Sequence, residues 1–229
     1  MVPGLGSTEA LQASLGLEWA RDGWLVALTG WGQSLDALPR SLDDAWVLDR
    51  NGERVRAAAD GEGRALGAEL FVRKRVGDGV HGWLAYTLSR AERRTPSERW
   101  RLYERDQTHV LHAAAAIELG REWTLGLRFE LASGAPTRPV IDATYDADGD
   151  VFTPRWGPVD RRLPLHHRLD LRLDKTWRFD TWQLQAYLEV QNVYAADNPE
   201  TLVYDYDYGR ARGGPGLPIL PTLGARVVY

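Results

Sequence analysis

Apolar and polar residues alternate with a period of two along most of this 229-residue chain, a pattern that suits strands and not helices. Leu11, Ala13, Leu15, Leu17 and Trp19 share one face, opposed by Gln12, Ser14, Gly16 and Glu18. Trp123, Leu125, Leu127, Phe129 and Leu131 oppose Thr124, Gly126, Arg128 and Glu130. Leu169, Leu171 and Leu173 oppose Arg168, Asp170, Arg172 and Asp174. Trp182, Leu184, Ala186, Leu188 and Val190 oppose Gln183, Gln185, Tyr187, Glu189 and Gln191. Weaker alternation over 24–33, 64–75, 80–90 and 106–119, with a final run at 220–229, brings the expected total to nine strands and no helix. The fold class is all-β and antiparallel.

The connections between these strands alternate in length. Arg21–Gly23, Val76–Gly79, Gly120–Glu122 and Arg178–Thr181 read as tight turns, whereas long polar segments occupy about 34–62, 91–104, 135–164 and 194–219. A soluble sandwich does not require that regularity. A transmembrane barrel does, because its periplasmic turns are short and its extracellular loops long. Five tryptophans, Trp19, Trp24, Trp123, Trp177 and Trp182, stand beside the tight turns on the aliphatic face, where a periplasmic aromatic girdle belongs. Leu223, Ala225, Val227 and Tyr229 put an outward aromatic at the end of the last strand. No stretch approaches the roughly 20 apolar residues of a spanning helix, which removes helical membrane proteins and leaves barrels.

Little in the sequence suggests catalysis. There is no cysteine, and the net charge of −4 gives no reason to expect nucleic acid. His109 and His112 fall on opposite strand faces, as do His166 and His167, so neither pair can chelate a metal. Asp146, Asp148 and Asp150 are weak Ca²⁺ candidates, since Val151 and Gly157 stand where a calcium loop needs Gly and Glu. The polar face carries Glu69, Arg73, Glu118, Arg128, Glu130, Arg168, Asp170, Arg172, Asp174 and Glu189, opposite charges interleaved as cross-strand ion pairs lining a wet lumen. Neither a catalytic constellation nor a cofactor motif is present, and the expectation is a protein that is not an enzyme.

From Gly63 onward the chain resembles the C-terminal part of TonB-dependent outer-membrane receptors. Asp106-Gln-Thr-His109 resembles that family's Asp-Gln-x-His strand opening, and Ser133-Gly-Ala-Pro136 its Ser-Gly-x-Pro exit into a long loop. The segments 165–172 and 187–194 resemble its penultimate hairpin, followed by Asn198-Pro199, the tyrosine run 204–208 and the stretch 216–221 before the last strand. Thr137-Arg-Pro139 departs from the family's usual Thr-Pro. The resemblance implies a 22-stranded barrel around an N-terminal plug, in the bacterial outer membrane and surrounded by its lipid. It also implies uptake of a scarce ligand (siderophore, cobalamin, glycan or peptide) powered by the TonB system through the plug, with a terminal strand read by the barrel assembly machinery. No plug, TonB box or signal peptide is legible, so the expectation is a nine-strand arc, residues 1–229, of a larger barrel. Two other readings stay open: a small standalone outer-membrane barrel (enzyme or adhesin) and a soluble secreted β-sandwich.

Overall fold

The computed structural model describes residues 7–41, 47–48, 54–55, 57–75, 79–159 and 161–229. The first six residues, most of the turn at 76–79 and part of the 34–62 segment lie outside the described residues. Nine antiparallel strands hydrogen-bond in chain order into one open sheet, and a two-residue strand, Arg101–Leu102, adds to it at Glu92 and Arg93. They are β1 (Glu9–Arg21), β2 (Trp24–Ser41), β3 (Ala57–Lys74), β4 (Val80–Arg94) and β5 (His109–Gly120). β6 (Trp123–Ala132), β7 (His166–Arg178), β8 (Gln183–Gln191) and β9 (Leu220–Val228) complete it. Neither β1 nor β9 pairs along its outer edge, and no helix occurs among the described residues.

Register carries the sequence alternation across the sheet. One pleat row runs Trp19, Val26, Val72, Leu84, Ala113, Phe129, Leu169. A slip of one residue anywhere would turn a strand's aliphatic set to the opposite side. That aliphatic face has nothing packed on it: Leu15 is 79% exposed, Leu17 73% and Leu223 78%. Among the described residues Leu38 is the one large apolar side chain that is buried, whereas Glu92, Asp106, Ser133, Asp170, Asn192 and Asn198 all are. A water-soluble domain hides its aliphatics, and this molecule does the reverse. A single layer with its apolar side open is also not a sandwich, whose two sheets would cover each other.

The turns show how the short connections work. Asp22 and Gly23 have φ of 49° and 79°, the doubly left-handed geometry that two-residue hairpins favour. Arg121 and Glu122, at 51° and 62°, do the same without a glycine or asparagine. At the β7–β8 turn the Phe179 N–H donates to the Trp182 carbonyl (2.9 Å) and the two rings stack with centroids 4.1 Å apart. Trp182 therefore belongs to the turn, and β8 starts at Gln183, one residue later than the alternation indicates.

At the opposite, rim end the strands outrun their apolar pattern. β2 and β3 each reach 18 residues and continue pairing past a register irregularity between Leu35 and Pro39. The long segments are folded too: Val140–Asp146 pairs with Val151–Trp156, and Leu202–Tyr204 with Ala211–Gly213.

Candidate functional site

The polar face of β6, β7 and β8 is an ion-pair ladder. Asp170, 4% exposed, receives Arg128 Nε and Nη2 at 2.9 and 2.7 Å on one oxygen and the Asn192 N–H at 2.9 Å on the other. Arg168 bridges Glu130 at 3.1 Å and lies 3.2 Å from Asp170 as an ion-pair contact. One level toward the turns, Arg172 grips Asp174 with two bonds of 2.9 Å and reaches Glu189 at 3.3 Å. Its guanidinium also lies 3.7 Å from the Tyr187 ring centroid. That ring covers Gly224 so closely that a Cβ there would meet it at 2.3 Å, which explains the glycine on β9. Arg128, Glu130, Arg168 and Asp170 thus form one ion-paired group, and Arg172, Asp174 and Glu189 a second one beside it. Each carboxylate there already has a cationic partner, an arrangement for a stiff, wettable wall and not for proton transfer.

Rim latches give the family-like motifs a physical role. Asp106 accepts from the Ala91 N–H (2.6 Å), the Thr108 hydroxyl (3.0 Å) and Arg162 Nη2 (2.5 Å). Arg162 also donates to the Asp106 and Gly134 carbonyls, both at 3.0 Å, and to Thr108 Oγ1 at 2.9 Å. One guanidinium therefore ties the 135–164 segment to the mouths of β5 and β6. Gly134 is required at this crossing, because a Cβ would lie 1.9 Å from the Leu163 carbonyl oxygen. Ser133 and His109 exchange bonds at 2.8 and 3.0 Å. Asn198 closes a two-bond ring on the His167 backbone, at 2.9 and 2.8 Å. The fully buried Asn192 serves both Ala196 backbone groups at 2.9 Å and the Leu217 carbonyl at 2.8 Å.

Above the rim the two folded loops interlock through aromatic residues. Phe152 meets Tyr145 at 5.0 Å and Tyr206 at 5.5 Å between centroids, and Trp156 meets Tyr204 at 6.1 Å. Tyr206 Oη donates to the Asp150 carbonyl (2.6 Å), and Tyr204 Oη accepts the Val140 N–H (3.0 Å). Of the calcium candidates, Asp146 accepts the Asp148 N–H at 3.0 Å inside its own turn. Asp150 accepts the Tyr145 hydroxyl at 2.8 Å, which holds that phenol above its ordinary pKa. Asp148 is exposed, and no group of three or more potential metal ligands occurs among the described residues. His109 and His167 instead lie 2.7 and 2.9 Å from the hydroxyls of Tyr86 and Tyr194.

At the turn end, Trp19, Trp24, Trp123, Trp177 and Trp182 are all exposed, between 36% and 52%. On β9, Leu223, Ala225 and Val227 pair with Leu188, Ala186 and Leu184 on the aliphatic face, and Tyr229 is 98% exposed. The roles of Asn192 and Arg162 as latches are not visible in period or spacing. Two lysines beside the tryptophans, Lys74 and Lys175, left a compositional signal: they are the chain's only lysines against 26 arginines.

No family model matches the sequence, and neither does any curated protein. Solved structures match in fold. The ferric citrate transporter FecA, unliganded, superposes with a TM-score of 0.62 at 16% identity, over 96% of this chain and 31% of its own. The FrpB iron transporter of Neisseria meningitidis gives 0.64 at 16% identity, over 97% and 31%. The closed ferric-catecholate import receptor Fiu of E. coli K12 gives 0.59 at 15%, over 95% and 27%. The chain spans less than a third of each of these structures. As the sequence resemblance implies, its fold is that of the barrel portion of TonB-dependent receptors, an antiparallel sheet of nine strands.

Proposed function

We propose that residues 1–229 form the closing arc of the barrel of a bacterial outer-membrane receptor that takes up a scarce ligand with energy from the TonB system. Plug and remaining strands would come from sequence outside these 229 residues. The observation that carries this reading is the inverted burial: aliphatics exposed over one whole face, carboxylates and amides buried. Only a hydrocarbon solvent makes that arrangement favourable. The two unpaired edges support an arc over a standalone barrel, because lipid leaves backbone N–H and C=O groups there without partners. In this reading the ion-paired face lines the lumen against the plug, the loops 135–164 and 194–219 face the medium, and the tryptophans mark the periplasmic interface. The terminal strand, ending on Tyr229, is what the assembly machinery would engage. The ladder carries no acid–base pair suited to catalysis, and the reading is of a transporter that is not an enzyme. The ferric catecholates of Fiu and the ferric citrate of FecA make ferric chelates the first ligands to try, ahead of cobalamin, glycans and peptides.

The test is refolding in detergent. The 229-residue chain alone is expected to give no heat-modifiable monomer on gel electrophoresis, whereas the complete receptor containing it does. A heat-resistant monomeric barrel from the chain alone would refute the arc.

A further inference from the structure

The two lysines are placed by a repeated rule. Lys74 on β3 pairs in register with Trp24 on β2, and Lys175 on β7 pairs with Trp123 on β6. In both cases a tryptophan at the start of an ascending strand meets a lysine near the end of the neighbouring descending one. Lys74 Nζ lies 4.9 Å from the Trp24 ring centroid. Lys175 Nζ lies 5.5 Å from Trp123 and 5.7 Å from Trp177. Both are on the aliphatic face, at its turn end, and neither is in an ion pair among the described residues. Of the arginines at this end, Arg21 pairs with Asp22 at 3.1 Å and Arg178 with Glu122 at 3.2 Å. Lys175 spends one donor on the Arg121 carbonyl and keeps two.

Beside Lys74 the aliphatic face is grooved. Gly82 and its partner Ala115, with Ala113 next to them, form a low floor between Trp24 and Val72 on one side and Phe129 on the other. The hollow has a volume of about 350 Å³, and Lys74 is part of its lining. An apolar slot with an uncompensated ammonium at its interfacial mouth matches one molecule in particular, a lipid whose headgroup phosphate leaves it a net negative charge.

We propose that the Trp24–Lys74 and Trp123–Lys175 pairs are clasps for anionic phospholipids. The ammonium binds the headgroup phosphate, the indole N–H and ring sit at the ester level, and at the first clasp an acyl chain lies in the groove. This rests on the barrel reading above. Lysine suits the task better than arginine, because a compact charge on a flexible stem can follow a headgroup while its methylenes stay against the ring.

The experiment uses the complete receptor in vesicles that mix phosphatidylcholine with phosphatidylglycerol, one of them brominated on its acyl chains, and reads tryptophan quenching. The wild type is expected to prefer phosphatidylglycerol by roughly fivefold for each engaged lysine. K74Q/K175Q should bring the preference to parity, and K74R/K175R should restore most of it. An unchanged preference in the glutamine variant, or none in the wild type, overturns the clasp while leaving the barrel intact. Absence of quenching by any brominated lipid would overturn the membrane placement as well.

Discussion

Asp106→Ala tests whether the rim is held by its buried carboxylate. The side chain is 1% exposed and accepts three bonds, from the Ala91 N–H, the Thr108 hydroxyl and Arg162. Breaking a buried, hydrogen-bonded ion pair costs about 3–5 kcal/mol. Arg162 is 29% exposed and would keep the Asp106 and Gly134 carbonyls and the Thr108 hydroxyl, so the lower end applies. About 3 kcal/mol corresponds to roughly a 150-fold rise in the opening equilibrium of the 135–164 segment. Hydrogen exchange followed by mass spectrometry reads it at the Ala91 amide and at the Leu163 amide, which donates to the Ala135 carbonyl at 3.0 Å. Wall amides around Leu125–Leu127 should not change, because the latch lies at the other end of β6. Asp106→Asn, which keeps an acceptor but loses the charge, should fall between. If exchange at Ala91 and Leu163 rises less than about threefold in the alanine variant, Asp106 does not hold the rim.

Three further perturbations probe other parts. Asp170→Ala should lower the unfolding free energy of the complete barrel in lipid by about 2–4 kcal/mol, since Asn192 loses its acceptor while the half-exposed Arg128 can rehydrate; urea titration showing a loss under about 1 kcal/mol would contradict the ladder's structural role. Glu122→Gly should raise stability by about 0.5–1 kcal/mol, because it relieves a left-handed φ of 62° and removes only an exposed ion pair with Arg178. The Tyr145–Asp150 bond raises the phenol's pKa, so its contribution is complete below the ordinary tyrosine value and disappears as pH climbs through the raised one. Ultraviolet titration should then show a late-ionising phenol that Y145F deletes and D150N moves down.

The wall was legible because its physics is local. Alternation in 123–131 or 168–174 fixes which side chains share a face whatever the neighbouring strand does. The rim was not, because its order is made by contacts over long sequence separations: Arg162 meets Asp106 across 56 residues, and Asn192 meets Leu217 across 25. Resemblance flagged Asp106, Ser133 and Asn198 without saying why they matter, and the structure shows that each satisfies backbone groups at a strand mouth. The extensions of β2 and β3 were missed for a related reason. Asp36, Pro39 and Arg40 read as loop, yet Asp36 still pairs with Glu9, and Pro39 and Arg40 go on pairing with Ala59 and Ala58 beyond the irregularity near Leu38. The lysine pairs needed register: Trp24 and Lys74 are 50 positions apart in sequence and opposite each other in the sheet.

Alternation leaves one question open that the buried polar groups answer. A one-residue slip between strands is forbidden by the faces, but a slip of two keeps every aliphatic side chain outward and costs the apolar pattern nothing. Something else must choose among the even registers. At the turn end the two-residue connections at Asp22–Gly23 and Arg121–Glu122 do so for β1–β2 and β5–β6. β6 and β7 are joined by the long 135–164 segment, which imposes no register. There the directly opposed Arg128 and Asp170, with Asp170 also anchoring Asn192, supply the choice. Between β4 and β5, joined by the 95–108 connection, Asp106 on the Ala91 amide does the same. Each sits where the chain's own connectivity is too loose to specify pairing, so the buried polar residues of this wall stand in for the packed core that a single sheet with an open apolar face does not have.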